Sequence, residues 1–299
     1  MHVPVLLQEV LKYLAPQSNE NFVDGTLGGG GYALAILKET SPEGKILGID
    51  LDNEAQKRTV DSLISSQIEL DRFVFQEGNF KDIDTLITKA NINNFSGLVL
   101  DLGLNTNSLE NSGRGFSFKV DEPLIMTFRS DWQNAPLTAA QILNSYSESE
   151  LAQIIWLYGE ERYSRPIAKA IIITRKINPI TTTKQLVDII EKTVPQNYER
   201  GRIHKATRTF QALRIATNGE LNNLKTILDK IPSIFPSKSR CVIVSFHSLE
   251  DRLVKQAFRE MKKNGIATIL TPKPIVATPE EISLNPKSHS AKLRAIQII

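Results

Sequence analysis

One segment near the start of the chain constrains the fold more than any other, because apolar and glycine-rich stretches alternate in it. The apolar pair Phe22-Val23 stops at Asp24, as a buried parallel strand stops where it meets a ligand. Four glycines follow, then an apolar helical pattern over residues 33–37 and a second apolar run over 46–49 that ends at Asp50. Strand, glycine turn, helix, strand and terminal carboxylate predict the nucleoside-binding half of a Rossmann-like α/β fold.

The glycine turn alone leaves the class of ligand open. Gly28, Gly30 and Ala33 loosely match the Gly-x-Gly-x-x-Gly/Ala pattern of dinucleotide-binding proteins, although glycines also occur in plain flexible loops. Asp24, just before the turn, would repel a pyrophosphate, whereas it suits a cation such as the amino group or the sulfonium of S-adenosylmethionine. The residues therefore favour a methyltransferase, and a nicotinamide-dependent oxidoreductase is the alternative.

Polar residues also follow later strands. Because ligands of open α/β sheets bind outside the carboxyl ends of the strands, we expect Asp24, Asp50, Asn79 and Asp101 to surround one crevice. The apolar runs that predict the third, fourth and fifth strands are 73–75, 98–100 and 241–246.

The alternation of strands and helices changes near residue 105. From about 138 to 195 the apolar residues follow helical spacing, and no strand-like alternation interrupts them. We therefore expect a methyltransferase domain with an inserted all-helical domain that recognises the substrate. The expected bounds are 1–106 and 204–299 for the methyltransferase domain and 107–203 for the helical insert.

Basic residues are concentrated in two segments, although the net charge of the whole chain is only +3. Residues 199–214 carry one acid against six basic residues including His204, and residues 285–294 contain no acid. Each run alone is typical of a solvated face, but two runs flanking one sheet favour phosphate contacts with a nucleic acid. The residues predicted to contact RNA are Arg208, Arg214, His247 at the end of the fifth strand, Lys287, Lys292 and Arg294.

Other features narrow the class of protein. Cys241 is the only cysteine, so an intramolecular disulfide and a cysteine-based metal cluster are excluded. The four histidines show no metal-ligand spacing, and we predict no metal site. No apolar run approaches the length of a membrane span and the first residues do not form a signal peptide, so we expect a cytoplasmic protein with no membrane partner. The sequence does not indicate an oligomeric state.

The segment Phe246-His-Ser-Leu-Glu-Asp-Arg252 is the most specific motif in the chain. With it, and over nearly its whole length, the chain resembles the bacterial small-subunit ribosomal RNA cytosine-N4 methyltransferases of the H type. Other matching motifs are Asp24-Gly-Thr-Leu-Gly, Arg114-Gly-Phe-Ser-Phe118 and Thr209-Phe-Gln-Ala-Leu-Arg-Ile215. The resemblance implies S-adenosylmethionine as the methyl donor and a decoding-centre cytidine of 16S rRNA, within the small ribosomal subunit, as the acceptor.

The resemblance also implies which residues contact the cofactor, and some of them depart from the family pattern. Position 32 is commonly histidine, and tyrosine keeps a ring and a polar tip there; position 108 is commonly glutamine, and a serine is too short to reach as far. The loop 124–128 also lacks a usual carboxylate and arginine. These departures leave a ribosome-assembly factor of the same fold with weakened activity as a second alternative. The implied cofactor residues are Gly30, Gly31, Tyr32, Asp50, Phe80, Asp101 and Ser108.

Methylation of an exocyclic cytosine amine requires help, because the lone pair of the amine is delocalised into the ring. An acceptor for the N–H would localise that pair and later take the proton. Asp101 is the candidate acceptor, with Asn105 as a helper. The alternative is that Asp101 only binds the cofactor.

Overall fold

The computed structural model describes residues 4–103, 112–198 and 203–299 of the 299-residue chain. Contacts divide the chain into two compact units, one formed by Met1–Gly103 with Leu221–Ile299 and the other by Leu104–Glu220. Within the described ranges, no helix combines the length and the apolar character that crossing a membrane requires.

The strands, in chain order, are β1 (Asn21–Asp24), β2 (Ile46–Asp50), β3 (Phe73–Glu77), β4 (Phe95–Asp101), β5 (Arg240–Ser245), β6 (Ala267–Ile269) and β7 (Lys292–Ile298). The α-helices, in the same order, are α1 (Leu7–Leu14), α2 (Gly31–Glu39), α3 (Glu54–Ser65), α4 (Ile83–Ala90), α5 (Ala139–Ser145), α6 (Glu148–Gly159), α7 (Ser164–Arg175), α8 (Thr183–Thr193), α9 (Thr207–Asn218), α10 (Glu220–Ile234), α11 (Ser248–Lys263) and α12 (Pro279–Leu284).

The first unit is built on one seven-stranded sheet with the order β3-β2-β1-β4-β5-β7-β6. Strands β1 to β5 pair in parallel, and β7 runs antiparallel to both of its neighbours. The α/β, Rossmann-like fold expected from the sequence is confirmed. The sequence patterns did not predict β6 or β7. Lysine and arginine near the start of β7 made its segment resemble a basic surface run rather than a buried strand.

The sheet is buried on both faces, and the alternation of side chains along each strand decides which residue faces which layer. On β4, Leu98 and Leu100 belong to the apolar cluster that also holds residues of α4, α10 and α11. Val99, between them, belongs to the opposite cluster, which holds residues of α1, α2 and α3. Each such side chain is fully buried and contributes about 1.5–3 kcal/mol by its removal from water. The two apolar layers hold the strand ends in fixed positions.

The second unit is helical and has its own core. Its helices α5, α6 and α8 each begin with a capping box, formed by Thr138 with Gln141, Ser147 with Glu150, and Thr182 with Gln185. In each box the side chains satisfy backbone N–H groups that the first helical turn leaves without partners. The buried core residues include Leu143, Leu151, Ile155, Ile167, Ile171, Leu186, Ile190, Phe210 and Leu213.

Helix α9 belongs to this helical unit, whereas the sequence placed residues 204–299 in the sheet domain. At Gly159, the last residue of α6, an added Cβ would lie 2.5 Å from the carbonyl oxygen of Arg208 on α9, so only glycine permits this approach. Phe210 and Leu213 then enter the helical core. The apolar periodicity of α9 predicts a buried face, but it does not indicate which of two cores receives that face.

Candidate active site

Three carboxylates lie at the ends of neighbouring strands. Asp24 ends β1, Asp50 ends β2 and Asp101 ends β4, and β1 lies between the other two strands in the sheet. Since these strands are parallel, all three residues lie at the same edge, as the sequence predicted. Asp24 is completely buried, while Asp50 and Asp101 keep part of their surface exposed.

The carboxyl of Asp24 is buried and has one unpartnered oxygen among the described residues. The backbone N–H of Thr26 donates to Oδ1 at 3.2 Å, and among the described residues no group donates to Oδ2. Burial raises the pKa of Asp24 from 3.8 to about 7; the Thr26 N–H opposes the rise in part, and the negative charge of Asp50 adds to it. A positively charged ligand would satisfy Oδ2 and would favour the ionised form.

Asp101 has a similar environment. Its Oδ1 is buried and has no hydrogen-bond partner within the described part of the chain. Burial raises the pKa of Asp101 well above its ordinary value, and the charges of Asp24 and Glu250 add to the increase. Its backbone N–H donates to the hydroxyl oxygen of Thr26 at 2.6 Å. Thr26 was not predicted as a site residue, although it stands inside the quoted motif two residues after Asp24; its contact with Asp101, 75 residues away, has no local signal in the sequence.

Asp50 differs from the other two because both of its oxygens accept backbone hydrogen bonds. Gly28 donates to Oδ2 at 2.7 Å and Asp52 donates to Oδ1 at 2.9 Å. Burial raises the pKa of Asp50, and these two N–H groups limit the rise. The carboxylate is therefore held in one orientation and keeps lone pairs for further donors, such as the hydroxyls of a ribose.

The glycine turn before α2 has the backbone that its composition predicts. Gly28 and Gly30 have φ angles of 52° and 74°, in the left-handed region that favours glycine. At Gly30 a Cβ would also lie 2.3 Å from Oγ1 of Thr59. Helix α2 begins without a side-chain cap from Gly30. The N–H of Ala33 in its first turn hydrogen-bonds Asp24, and the other N–H groups of that turn are available to a ligand carboxylate.

Tyr32 and Gly31 contact the protein's own N-terminal segment. The Tyr32 hydroxyl donates to the carbonyl oxygen of Val5, and only 4% of the residue is exposed. At Gly31, a Cβ would lie 2.3 Å from Cγ of Pro4. Val5 therefore occupies the polar tip of Tyr32, and the predicted cofactor contact falls to its ring. Burial and then the charges of Asp101 and Asp24 raise the pKa of Tyr32 well above 10.

Phe80 lies three residues after the end of β3 and is half-buried against the core. A Cβ added to Gly25, the residue after Asp24, would lie 3.4 Å from Cβ of Phe80 and 2.5 Å from Cδ2 of Leu100. Phe80 is thus packed beside the end of β1, at the edge where the three carboxylates gather. Asn105 and Ser108 lie outside the described residues.

Two of the cations assigned to RNA are committed to ion pairs. Arg294 on β7 is 7% exposed, and its Nε and Nη2 donate to the two carboxylate oxygens of Asp251 at 2.6 and 3.3 Å. Arg214 on α9 donates from Nε and Nη2 to Glu220, each at 2.9 Å. The prediction that these two guanidinium groups contact phosphates is corrected, because the Nε and Nη2 groups of each already donate to a carboxylate.

The other four predicted RNA contacts differ in their exposure and in their partners. Lys292 lies 3.6 Å from Asp251 with 39% of its side chain exposed. Arg208 donates from Nη1 to the carbonyl oxygen of Glu160 at 3.0 Å, and Lys287 is half-buried. His247 caps α11, because its Nδ1 accepts from the N–H of Glu250 at 3.4 Å, while its Nε2 lies 3.2 Å from Oε1 of Glu250.

Comparisons with known proteins identify the family of the chain. The model of the MraW methylase family matches residues 1–299. A protein of Kosmotoga olearia named ribosomal RNA small subunit methyltransferase H is 44% identical over 301 residues, covering 100% of this chain and 97% of that protein. A protein of the same name from Desulfotalea psychrophila is 41% identical over 297 residues, covering 99% of this chain and 98% of that protein.

Proposed function

The chain belongs to the MraW methylase family, and from that premise we propose that it methylates the N4 amino group of a cytidine in small-subunit ribosomal RNA. S-adenosylmethionine is the proposed donor, and the acceptor is a decoding-centre cytidine of 16S rRNA. The names of its relatives support the class of RNA. The choice of N4 follows from the resemblance of the motif at 246–252 to cytosine-N4 methyltransferases.

The strand-end carboxylates are the observation that carries the donor assignment. Asp24 and Asp101 each present a buried carboxylate oxygen with no partner among the described residues, which fits a ligand with positive charge. Asp50, oriented by two backbone N–H groups, fits the ribose diol. The uncapped N-terminus of α2 fits the carboxylate of a methionine moiety. When bound, S-adenosylmethionine supplies a methyl group on a sulfonium. An amine can take this methyl by in-line attack, and the thioether is the leaving group.

The same carboxylates argue against a nicotinamide dinucleotide. Its pyrophosphate would have to approach the glycine turn beside Asp24, and like charges without water between them repel strongly. Asp50 does not discriminate between the two cofactors, because a carboxylate at the end of the second strand can accept from the ribose of either. The donor set therefore favours methyl transfer over hydride transfer.

Asp101 is the residue best placed to act on the amine. Its buried Oδ1 can accept an N–H of the cytosine amine, which localises the lone pair as the new N–C bond forms. The departing donor leaves as a neutral thioether, and the excess proton on nitrogen passes to the carboxylate. Burial and neighbouring charges raise the pKa of Asp101, so the positive charge of the bound donor is what would favour the ionised form that accepts the proton. Asn105 remains the proposed helper.

Binding of the RNA is assigned to those predicted cations that keep part of their surface exposed. Lys287, Lys292 and Arg208 provide charge for phosphates, and His247 provides a ring near the end of β5. We assign recognition of the substrate to the helical unit, as the sequence suggested for residues 107–203.

Transfer of labelled methyl from S-adenosylmethionine tests this function. Purified protein is incubated with small ribosomal subunits that lack the modification, and in parallel with naked 16S rRNA. Label in the RNA of either sample supports the proposal, and the comparison identifies the preferred form of the substrate. Binding of the donor without transfer to either sample would support the assembly-factor alternative. Thermal stabilisation by NAD but not by S-adenosylmethionine would support the oxidoreductase.

A further inference from the structure

The guanidinium of Arg58 on α3 contacts both loops that border Asp50. Its Nη2 lies 2.9 Å from Oδ2 of Asp52, in the loop after β2. Its Nε and Nη2 also approach the carbonyl oxygen of Gly28, in the glycine turn after β1, at 3.4 and 3.3 Å. One side chain thus connects two segments that are far apart in sequence.

These contacts complete a closed ring of hydrogen bonds around Asp50. Gly28 donates to one carboxylate oxygen of Asp50, and Asp52 donates to the other. Arg58 then joins the two donor residues, because it donates both to the carbonyl oxygen of Gly28 and to the carboxylate of Asp52. Neither donor of Asp50 can move without disturbing the guanidinium that links them.

We infer that Arg58 is a positioning residue for S-adenosylmethionine, which holds the glycine turn and the end of β2 so that Asp50 faces the ribose. This inference rests on the proposed function, because it concerns the same cofactor site. Arginine suits the task better than lysine, since its planar fork offers several N–H groups in fixed directions.

The exposure of Arg58 separates positioning from a role in stability. About a third of its side chain is exposed (34%), and ion pairs so close to solvent contribute only about 0–1 kcal/mol to folding. Removing Arg58 should therefore leave the protein folded. The effect should appear in cofactor affinity, where a misdirected Asp50 loses its bonds to the ligand.

Charge gives a second readout. The groups facing Asp50 are Asp24 at the end of β1, Asp52 in the loop after β2 and Arg58 on α3. Burial raises the pKa of Asp50 and the charge of Asp52 adds to it, whereas Arg58 lowers it. Without Arg58 the pKa of Asp50 rises further. Binding that requires the carboxylate would then be lost at a higher pH as the solution is acidified.

The experiment compares Arg58→Met, Arg58→Lys and the control Lys57→Met by calorimetric titration with S-adenosylmethionine across the acid and neutral range. Lys57 is the exposed neighbour on the same helix, so its variant loses the same charge away from the ring. We expect Arg58→Met to weaken binding about tenfold, equivalent to about 1.4 kcal/mol, and to move the acid limb to higher pH. Arg58→Lys keeps the positive charge, so its affinity should depend on acidic pH as in the wild type. It should show only part of the loss in affinity expected for Arg58→Met. Lys57→Met should match the wild type.

Urea unfolding of each ligand-free variant accompanies the titrations, and Arg58→Lys provides the test if Arg58→Met does not fold. Equal affinity and equal acid limbs for the Arg58 variants and Lys57→Met, with a wild type that binds, would overturn the role of Arg58. A wild type that does not bind S-adenosylmethionine would instead contradict the proposed function.

Discussion

The backbone N–H of Asp101 donates to the hydroxyl oxygen of Thr26 at 2.6 Å, and this bond joins the end of β4 to the turn after β1. The N–H of Thr26 in turn donates to Asp24. One threonine therefore connects two carboxyl residues, and the charge of Asp24 raises the pKa of Asp101.

Thr26→Val should destabilise the protein by about 1–3 kcal/mol, because it leaves the N–H of Asp101 without its acceptor while keeping the shape of the side chain. Urea unfolding measures the change. Thr26→Ser restores the hydroxyl and should recover most of the loss. Equal stability of the valine and serine variants would show that the bond contributes nothing.

Binding of S-adenosylmethionine near pH 6 should release a proton from Asp24. The pKa of Asp24 in the ligand-free protein is about 7, so the carboxyl is largely protonated at that pH, and a cationic ligand favours its ionised form. Affinity should rise with pH until about 7 and then level off. Calorimetry in two buffers of different ionisation enthalpy counts the released protons.

Asp24→Asn is the matched variant for that measurement. It should bind S-adenosylmethionine more weakly and release no proton from this position. The pKa of Asp24 is about 7 in the folded protein and 3.8 in the unfolded chain. The free energy of unfolding of the ligand-free wild type should therefore fall as the pH rises from 3.8 to about 7. The asparagine variant should lack that decline in urea unfolding. Undiminished proton release would assign the titration to another group.

Arg294→Met should destabilise the sheet unit by about 1–3 kcal/mol, since Asp251 loses its main partner and keeps only the more distant Lys292. Burial alone would raise the pKa of Asp251, but the bond and charge of Arg294, with Lys292, hold it below its ordinary value. The stability from this pair is therefore present above pH 4 or so and is lost on acidification. Lys273→Ala, at an exposed lysine, is the control for urea unfolding at pH 7.

Arg208→Ala and Lys292→Ala should each weaken binding of 16S rRNA and reduce the slope of log affinity against log salt by about one unit. Affinity for S-adenosylmethionine should not change, because neither residue is among those predicted to bind the cofactor. Lys57→Ala, outside both basic segments, should keep the wild-type slope. Unaltered salt slopes for both variants would show that these side chains do not contact the phosphates of the RNA.

Asp101→Asn separates the two roles open to that residue. If Asp101 accepts the amine proton, the single-turnover rate at saturating S-adenosylmethionine should fall by roughly 10²-fold or more, the usual contribution of a positioned acid–base group. Asparagine keeps the shape and still offers a carbonyl oxygen, so donor and RNA affinities should change little. Full recovery of the rate at saturating donor would leave Asp101 as a binding residue only.

The strand-end carboxylates were predictable because their signal is local. An apolar run that stops at a carboxylate fixes both the strand and the position of the side chain at its end, as at Asp24, Asp50 and Asp101. Non-local partners were not predictable. Nothing near Arg294 indicates that Asp251 pairs with it, and nothing near Tyr32 indicates that Val5 accepts its hydrogen bond. Arg58 belongs to the same class, because its contacts join two separate loops.

The product nucleoside tests the proposed activity most directly. Small subunits lacking the modification are incubated with the wild-type protein and S-adenosylmethionine, and their 16S rRNA is digested to nucleosides for mass spectrometry. We predict that N4-methylcytidine appears in proportion to methyl transferred, and that Asp101→Asn forms it far more slowly. Methyl transfer that appears only on another atom or base would contradict the assignment of the cytidine amine as the acceptor.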